Sequence, residues 1–297
     1  MIPGVASSVG PVGRRRALQG VLSSLLVACS RATPPARGSA GVASRIVSLE
    51  PTTTEALFAL GAGPRLVGRS RFCDRPLEAL SLPTVGGYID PNLEAILALR
   101  PDLVTGTRGP SGRGLADTLA SRGVATYFPE AESRVAIGAM LRGLGERTGT
   151  ASGAERLILR IDERLSRIAA ALEGRRRPRA LLLFGRAPIV VAGPGSFPSE
   201  MLSLAGADNA QTRGDRYPTI GLEHALALDP DVVLDAAMGG EGAPIGPGTP
   251  GWERLRAVRA GRVHRLSDMN VLRPGPSFAE GVTALALALH PGAKVPV

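Results

Sequence analysis

Apolar positions along this chain follow two periods. Short runs such as Ile46-Val47, Leu103-Val104 and Val232-Val233-Leu234 read as buried strands. Between such runs, apolar residues return at three- and four-residue steps, as helices require. The pattern predicts a strand at 45–49. After the Glu50-Pro51 turn it predicts a helix from Thr52, capped by threonine side chains, favoured by Glu55 near its positive end and stopped at Gly61-Ala62-Gly63. A strand at 65–68 follows, then a helix at 93–99, a strand at 103–105, a helix at 115–122, a strand at 125–128 and a helix at 135–146. This quick alternation of strand and helix argues for a parallel α/β sheet.

Residues 151–172 carry the longest uninterrupted helical pattern. Leu157, Ile161, Leu165, Ile168 and Leu172 form one apolar stripe, while Glu155, Arg160, Glu163, Arg164 and Arg167 cover the other faces. Beyond Gly174 the alternation resumes: a strand at 179–184, a helix at 198–204, a helix at 252–258, a strand at 261–266 and a closing helix at 278–289.

A twelve-residue segment occurs twice. Leu93-Glu94-Ala95-Ile96-Leu97-Ala98-Leu99-Arg100-Pro101-Asp102-Leu103-Val104 returns from Leu222 to Val233 with eight of twelve positions identical, 129 residues later. Each copy reads as an amphipathic helix, a Pro-Asp turn and a buried strand. The repeat implies two similar Rossmann-like α/β lobes, joined by the single long backbone helix and enclosing a ligand cleft. The organisation expected is a leader at 1–28, a flexible tether at 29–44, an N-terminal lobe at 45–150, a connecting helix at 151–173 and a C-terminal lobe at 174–297.

The 297 residues are 44% hydrophobic but only 3% aromatic, with a net charge of +9 in which Lys294 is the single lysine. The arginines are scattered apart from Arg14-Arg15-Arg16 and Arg175-Arg176-Arg177, which argues against a nucleic-acid stripe. Arg14-Arg15-Arg16 followed by a short apolar run to Ala28 reads as an export signal, too short to span a bilayer as a permanent helix. The adjacent arginines hint at the twin-arginine route. Leu26-Val27-Ala28-Cys29 resembles the bacterial lipobox, which implies acylation of Cys29 and a protein held by lipid at a membrane surface, in the periplasm or outside the cell. Residues 30–44, rich in Pro, Gly, Ala and Ser, form the tether. Cys73 is then a lone thiol without a disulfide partner, expected to be half-buried.

Catalytic signatures are missing: there is no Gly-x-Ser-x-Gly, no His-Glu-x-x-His, no phosphate loop and no dinucleotide fingerprint. His224, His264 and His290 fall at expected surface or boundary positions. The loop Arg108-Gly109-Pro110-Ser111-Gly112-Arg113-Gly114 has backbone N–H groups for an anion, and reads equally as a glycine-rich rim.

Arg45-Ile46-Val47-Ser48-Leu49-Glu50-Pro51, Thr54-Glu55, Leu60-Gly61-Ala62-Gly63, Val67-Gly68, Cys73-Asp74, Val85-Gly86-Gly87-Tyr88 and Asn92-Leu93-Glu94 together resemble the vitamin B12-binding proteins of ABC importers. These belong to the helical-backbone metal-receptor, or class III substrate-binding, family. The resemblance implies a monomeric binding protein, not an enzyme, with no cofactor or metal of its own, that hands cobalamin or a related corrinoid to a permease and its ATPase. It implies that Glu94 and Glu223 dock on the permease, one lobe per subunit. It also implies a ligand lining of Pro51, Phe72, Tyr88, Arg108, Phe184, Trp252, Asp268 and Arg273. Thr107 stands where those binders can have tryptophan, which leaves haem and ferric siderophores as alternatives: Tyr88 or Tyr217 would serve an iron, and Arg108, Arg186 and Arg273 an anionic chelate. A two-lobed α/β enzyme, or an adaptor that binds other proteins, would be further readings.

Overall fold

The computed structural model describes residues 41–108, 112–237, 245–266 and 269–296. Strands β1 (Ile46–Ser48), β2 (Leu66–Arg69), β3 (Leu103–Thr105) and β4 (Ala125–Tyr127) make a parallel sheet in the order β2-β1-β3-β4. Helices α1 (Pro51–Ala59), α2 (Leu93–Ala98), α3 (Gly112–Ser121) and α4 (Arg134–Arg147) complete this lobe. Helix α5 (Ala151–Ala171) leads on to β5 (Arg179–Arg186), β6 (Ile189–Val191), α6 (Phe197–Leu204), β7 (Asp208–Asn209), β8 (Thr219–Ile220), α7 (Leu222–Leu228), β9 (Val232–Asp235), α8 (Arg256–Arg259), β10 (Val263–Arg265) and α9 (Phe278–Leu289). The second sheet is mixed, in the order β10-β9-β5-β6-β8, with β7 also pairing to β5.

Alternation along the strands explains the layering. Ile46 and Leu103 point into an apolar cluster shared with α1, α4 and α5, whereas Val47 and Val104 point the other way, to Ile96 of α2 and Leu119 of α3. In the second lobe Leu182 and Leu234 join the shared cluster with Phe197 and Phe278, while Leu181, Leu183 and Val233 meet Ala225 of α7 and Ala257 of α8. Each sheet is thus covered on both faces. The shared cluster runs through the stripe Leu157, Ile161, Leu165, Ile168 and Leu172, so α5 packs on α4 on one side and on α6 and α9 on the other. At 21 residues, α5 is about 30 Å long. Its polar faces are tied by Arg134–Asp162 at 2.7 Å, Arg142–Glu155 at 2.7 Å and Arg164–Glu280 at 3.1 Å. A strut clamped into both cores allows small rocking of the lobes rather than wide closure.

The duplication extends below the level of sequence identity. Arg100 and Asp229, at equivalent positions, both adopt positive φ, at 45° and 38°. The following aspartates perform the same task. Asp102 Oδ1 accepts the Arg45 N–H at 3.0 Å at the start of β1, and Asp231 Oδ2 accepts the Arg179 N–H at 3.0 Å at the start of β5. In return, the Asp102 and Asp231 N–H groups donate to the Arg45 and Arg179 carbonyls at 2.9 and 2.7 Å. The Arg179 N–H holds the buried Asp231 carboxyl below the usual carboxylate range, outweighing burial, with help from Arg176 and Arg256. At Asp102 burial pushes the pKa up, but hydrogen bonds from Ser44 and Arg45 bring it below its ordinary value.

Three expectations are corrected. The threonines of α1 do not cap it: Glu50 is the N-cap, without a side-chain bond. Thr53 and Thr54 are buried and hydrogen-bond Ser48 at 2.8 Å, because hydroxyls next to a strand end find closer partners there. The helix expected at 252–258 is a short turn at Trp252–Arg254 followed by α8, since Gly251 enters at φ 81° and Leu255 is extended. Cys73 is fully buried rather than half-buried, with its Sγ 3.3 Å from Ser70 Oγ.

Gly281 is required where α9 meets the turn Met269–Leu272, because a Cβ there would collide with the Val271 carbonyl and Met201. Among the described residues, no helix is long and apolar enough to cross a membrane.

Candidate functional site

The carboxyl ends of the parallel strands in both lobes lead into loops that face one another, the place where open α/β sheets bind ligands. From the N-terminal lobe come Glu50 and Pro51 after β1, Phe72 after β2, Thr107 and Arg108 after β3, and Glu130 and Glu132 after β4. From the C-terminal lobe come Phe184 and Arg186 at the end of β5, Asp235 at the end of β9, Tyr217 before β8, and Arg273.

Among the described residues, hydrogen bonds and an ion pair join the lobes here and along the flanks. Arg273 Nη1 reaches Asp74 Oδ1 at 3.2 Å, and the Tyr217 hydroxyl donates to Glu132 Oε2 at 3.0 Å. The Ser277 N–H donates to Glu55 Oε1 at 3.1 Å, and the Arg134 N–H to Glu200 Oε2 at 2.9 Å. A lateral cavity of about 970 Å³ opens beside the first pair, lined by Glu55, Asp74, Leu77, Leu80, Ser277 and Glu280 among others.

Two aromatic pairs stand on opposite walls. Phe72 and Tyr88, 45% and 47% exposed, meet edge to face at 5.8 Å. Their loops are registered by the backbone: Arg71 N–H donates to the Gly86 carbonyl at 2.9 Å and Asn92 N–H to the Val85 carbonyl at 2.9 Å. Gly86 takes φ 91° in that turn, a conformation that glycine adopts without strain. The Arg71 guanidinium lies 4.9 Å from the Phe72 ring centre and pairs with Asp90 at 2.8 Å. In the other lobe Phe184 meets Tyr217 edge to face at 5.7 Å.

Trp252 is not with them. At 5% exposure it belongs to the apolar cluster of Leu181, Leu255 and Val258, so the lining role expected for it does not carry over. Asp268 and Cys29 lie outside the described residues. Pro51 is half-buried at the first position of α1.

Arg108, Arg186 and Arg273 at this site are each matched by a carboxylate. Arg108 pairs with Glu130 at 3.3 Å with both side chains more than half exposed, an arrangement that contributes little to stability. Arg273 pairs with Asp74, and Arg186 with the buried Asp235. Burial pushes the Glu50 carboxyl above its ordinary pKa against the pull of hydrogen bonds from Thr107. Burial and then the neighbouring Glu132 push the Tyr217 hydroxyl up, so it keeps its proton.

The histidines are occupied elsewhere. His224 is exposed on α7 and bonds Gln211 at 2.9 Å, His264 lies on β10, and His290 is buried, contrary to expectation, against the Ala205 and Gly206 carbonyls at 3.2 Å. Among the described residues, no group of three or more His, Cys, Asp or Glu side chains is placed to hold a metal ion.

Glu50, Asp74 and Glu132 are not among the residues expected at the site, and Tyr217 is expected there only as a haem donor. Their one available signal was position, within a few residues of a strand end or within the opposing loop. Glu94 and Glu223 stand in the first turns of α2 and α7, both exposed, with Glu223 at 81% and 3.3 Å from Arg254.

Residues 46–269 match the periplasmic binding protein family. The vitamin B12-binding protein of Salmonella typhimurium is 31% identical over 201 residues, covering 67% of this chain and 74% of that one. Among solved structures, a periplasmic heme-binding protein from Pseudomonas aeruginosa superimposes with a TM-score of 0.75 at 32% identity, over 86% of this chain and 95% of the other. The periplasmic vitamin B12-binding protein of Vibrio cholerae does so at 0.70 and 26%, over 84% and 97%. The two α/β lobes on a single backbone helix are the fold that these solved structures share with this chain. The chain belongs to the periplasmic binding protein family and is a substrate-binding protein of an ABC transporter, not an enzyme.

Proposed function

We propose that this protein captures cobalamin or a related corrinoid between its lobes and delivers it to a permease that docks on Glu94 and Glu223, with Cys29 as the lipid-bearing anchor. The observation that carries the reading is the pairing of charge at the cleft. Arg71, Arg108, Arg186 and Arg273 each have a carboxylate partner, so these four arginines do not offer the converging free positive charge that a ferric siderophore or a haem propionate would seek. A corrinoid presents a broad apolar face and neutral amide arms. It suits opposed aromatic pairs with mixed polar groups between them. Its cobalt also needs no axial ligand from the protein.

Haem is the second reading, and one feature favours it. Tyr88 is nearly half exposed, which supports a role for its hydroxyl as a donor to the iron of a bound haem. Tyr217 is unsuited to that role because its proton is held by Glu132.

Isothermal titration of the protein with cyanocobalamin, haemin and a ferric hydroxamate decides between these guests. The corrinoid reading expects one-to-one binding of cyanocobalamin, at least about 100-fold tighter than the other two, equivalent to roughly 2.7 kcal/mol. Tight haemin binding with a Soret shift abolished by Tyr88→Phe, and no heat from cyanocobalamin, would establish haem instead.

A further inference from the structure

Glu50 stands at the cleft. It follows β1 directly and serves as N-cap of α1 through its backbone alone, at φ −144° and ψ 145°. Its carboxyl is bonded by the hydroxyl and the N–H of Thr107, at the end of the neighbouring strand β3. Its Oε2 is shielded from solvent and has no hydrogen-bond partner among the described residues. A buried carboxyl oxygen left in this state is unfavourable, and folded chains rarely keep one without a use for it.

The surroundings define what would satisfy it. The charged or titratable groups facing Glu50 are Arg273, Glu132 and, behind it, Cys73. Arg273 is held by Asp74, and Glu132 accepts the Tyr217 hydroxyl, so neither supplies the missing bond. Glu50, Glu132 and Asp74 outnumber Arg273, and the local field disfavours a second anion. A primary amide meets both demands. Its N–H₂ donates to an ionised Glu50, and its carbonyl accepts from a protonated one, so it satisfies Oε2 in either state. A carboxylate arm offers no donor and adds repulsion. The Arg273–Asp74 contact spans the lobes, so rocking them apart would free Arg273 near this carboxyl.

We propose that Glu50, through Oε2, is a specificity-determining contact that pairs with one amide arm of a corrinoid guest and rejects a carboxylate in that place. This rests on the corrinoid reading above. The test is titration calorimetry with cyanocobalamin and its separate b-, d- and e-monocarboxylic acids, in which one peripheral amide is replaced by an acid. For the wild-type protein, at least one acid should bind about tenfold or more weakly than cyanocobalamin itself.

In Glu50→Gln, which keeps the shape but removes the charge, the penalty against that acid relative to cyanocobalamin should fall below about threefold. Glu50→Ala should weaken cyanocobalamin binding about tenfold, and thermal melting reports whether that variant is folded. A Glu50 that serves only the fold would change melting and leave the amide-to-acid ratio alone. Cyanocobalamin binding with the same ratio in wild type and Glu50→Gln would overturn the role of Glu50 only. Absence of wild-type binding to cyanocobalamin would overturn both the corrinoid reading and this one.

Discussion

Reversing the two glutamates proposed to dock on the permease, Glu94→Arg with Glu223→Arg, is expected to abolish ligand uptake while leaving ligand affinity unchanged. The two glutamates occupy the same place in duplicated segments, each in the first turn of an exposed helix, one on each lobe. A carboxylate there gains from the helix dipole, but that benefit alone would not require both copies to keep it. Two fixed negative points on a stiff body orient its approach to a partner carrying cations at matching spacing, and contacts of this kind act through association rate and register. Both side chains are exposed in the first turns of α2 and α7, outside the two aromatic pairs, so calorimetry on the double variant should match wild type. Each single reversal should slow uptake in a reconstituted transporter, and the double reversal should bring it to background. Raising salt should mimic the single variants in part, by screening. Uptake at the wild-type rate by the double variant would remove the docking role from both residues.

Removing the first aromatic pair, Phe72→Ala with Tyr88→Ala, should weaken corrinoid binding by about 100-fold, or roughly 3 kcal/mol. Both rings are nearly half exposed in the free protein, so each still has apolar surface to bury against a guest. They also hold each other edge to face, with Arg71 over Phe72, and present themselves with little motion to lose on binding. The same exposure means that their loss leaves no cavity in the core, and thermal stability should change little. A protein that binds other proteins through a different face would keep its partner after this change. The pair Phe184 and Tyr217 is a poorer test, because Phe184 also packs against the shared core.

The architecture was legible because the strongest periodic signals lie in the elements that build it. The stripe from Leu157 to Leu172 is continuous, and the structure buries all five of its residues. The duplicated segment predicted its own helix, turn and strand, and the structure adds matched features that identity does not encode, such as positive φ at Arg100 and Asp229. What escaped notice was short or depended on distant partners. Strands β6 and β8 have three and two residues and exist by pairing with each other and with β5, so no local period announces them. Trp252 sits after a glycine turn, where composition cannot say which way a ring faces, and the core took it. Glu50 looked like part of a turn. Its importance arises from Thr107, fifty-seven positions away in sequence and adjacent in space because β1 pairs with β3.

Whether a guest is held between the two lobes is read off the structure of the protein with cyanocobalamin bound. The corrin is expected between Phe72 and Tyr88 on one wall and Phe184 and Tyr217 on the other, with α5 unbent and the lobes turned only slightly. A corrin seated in the lateral cavity beside Leu77 and Leu80, or on the outer face of either lobe, would contradict that placement.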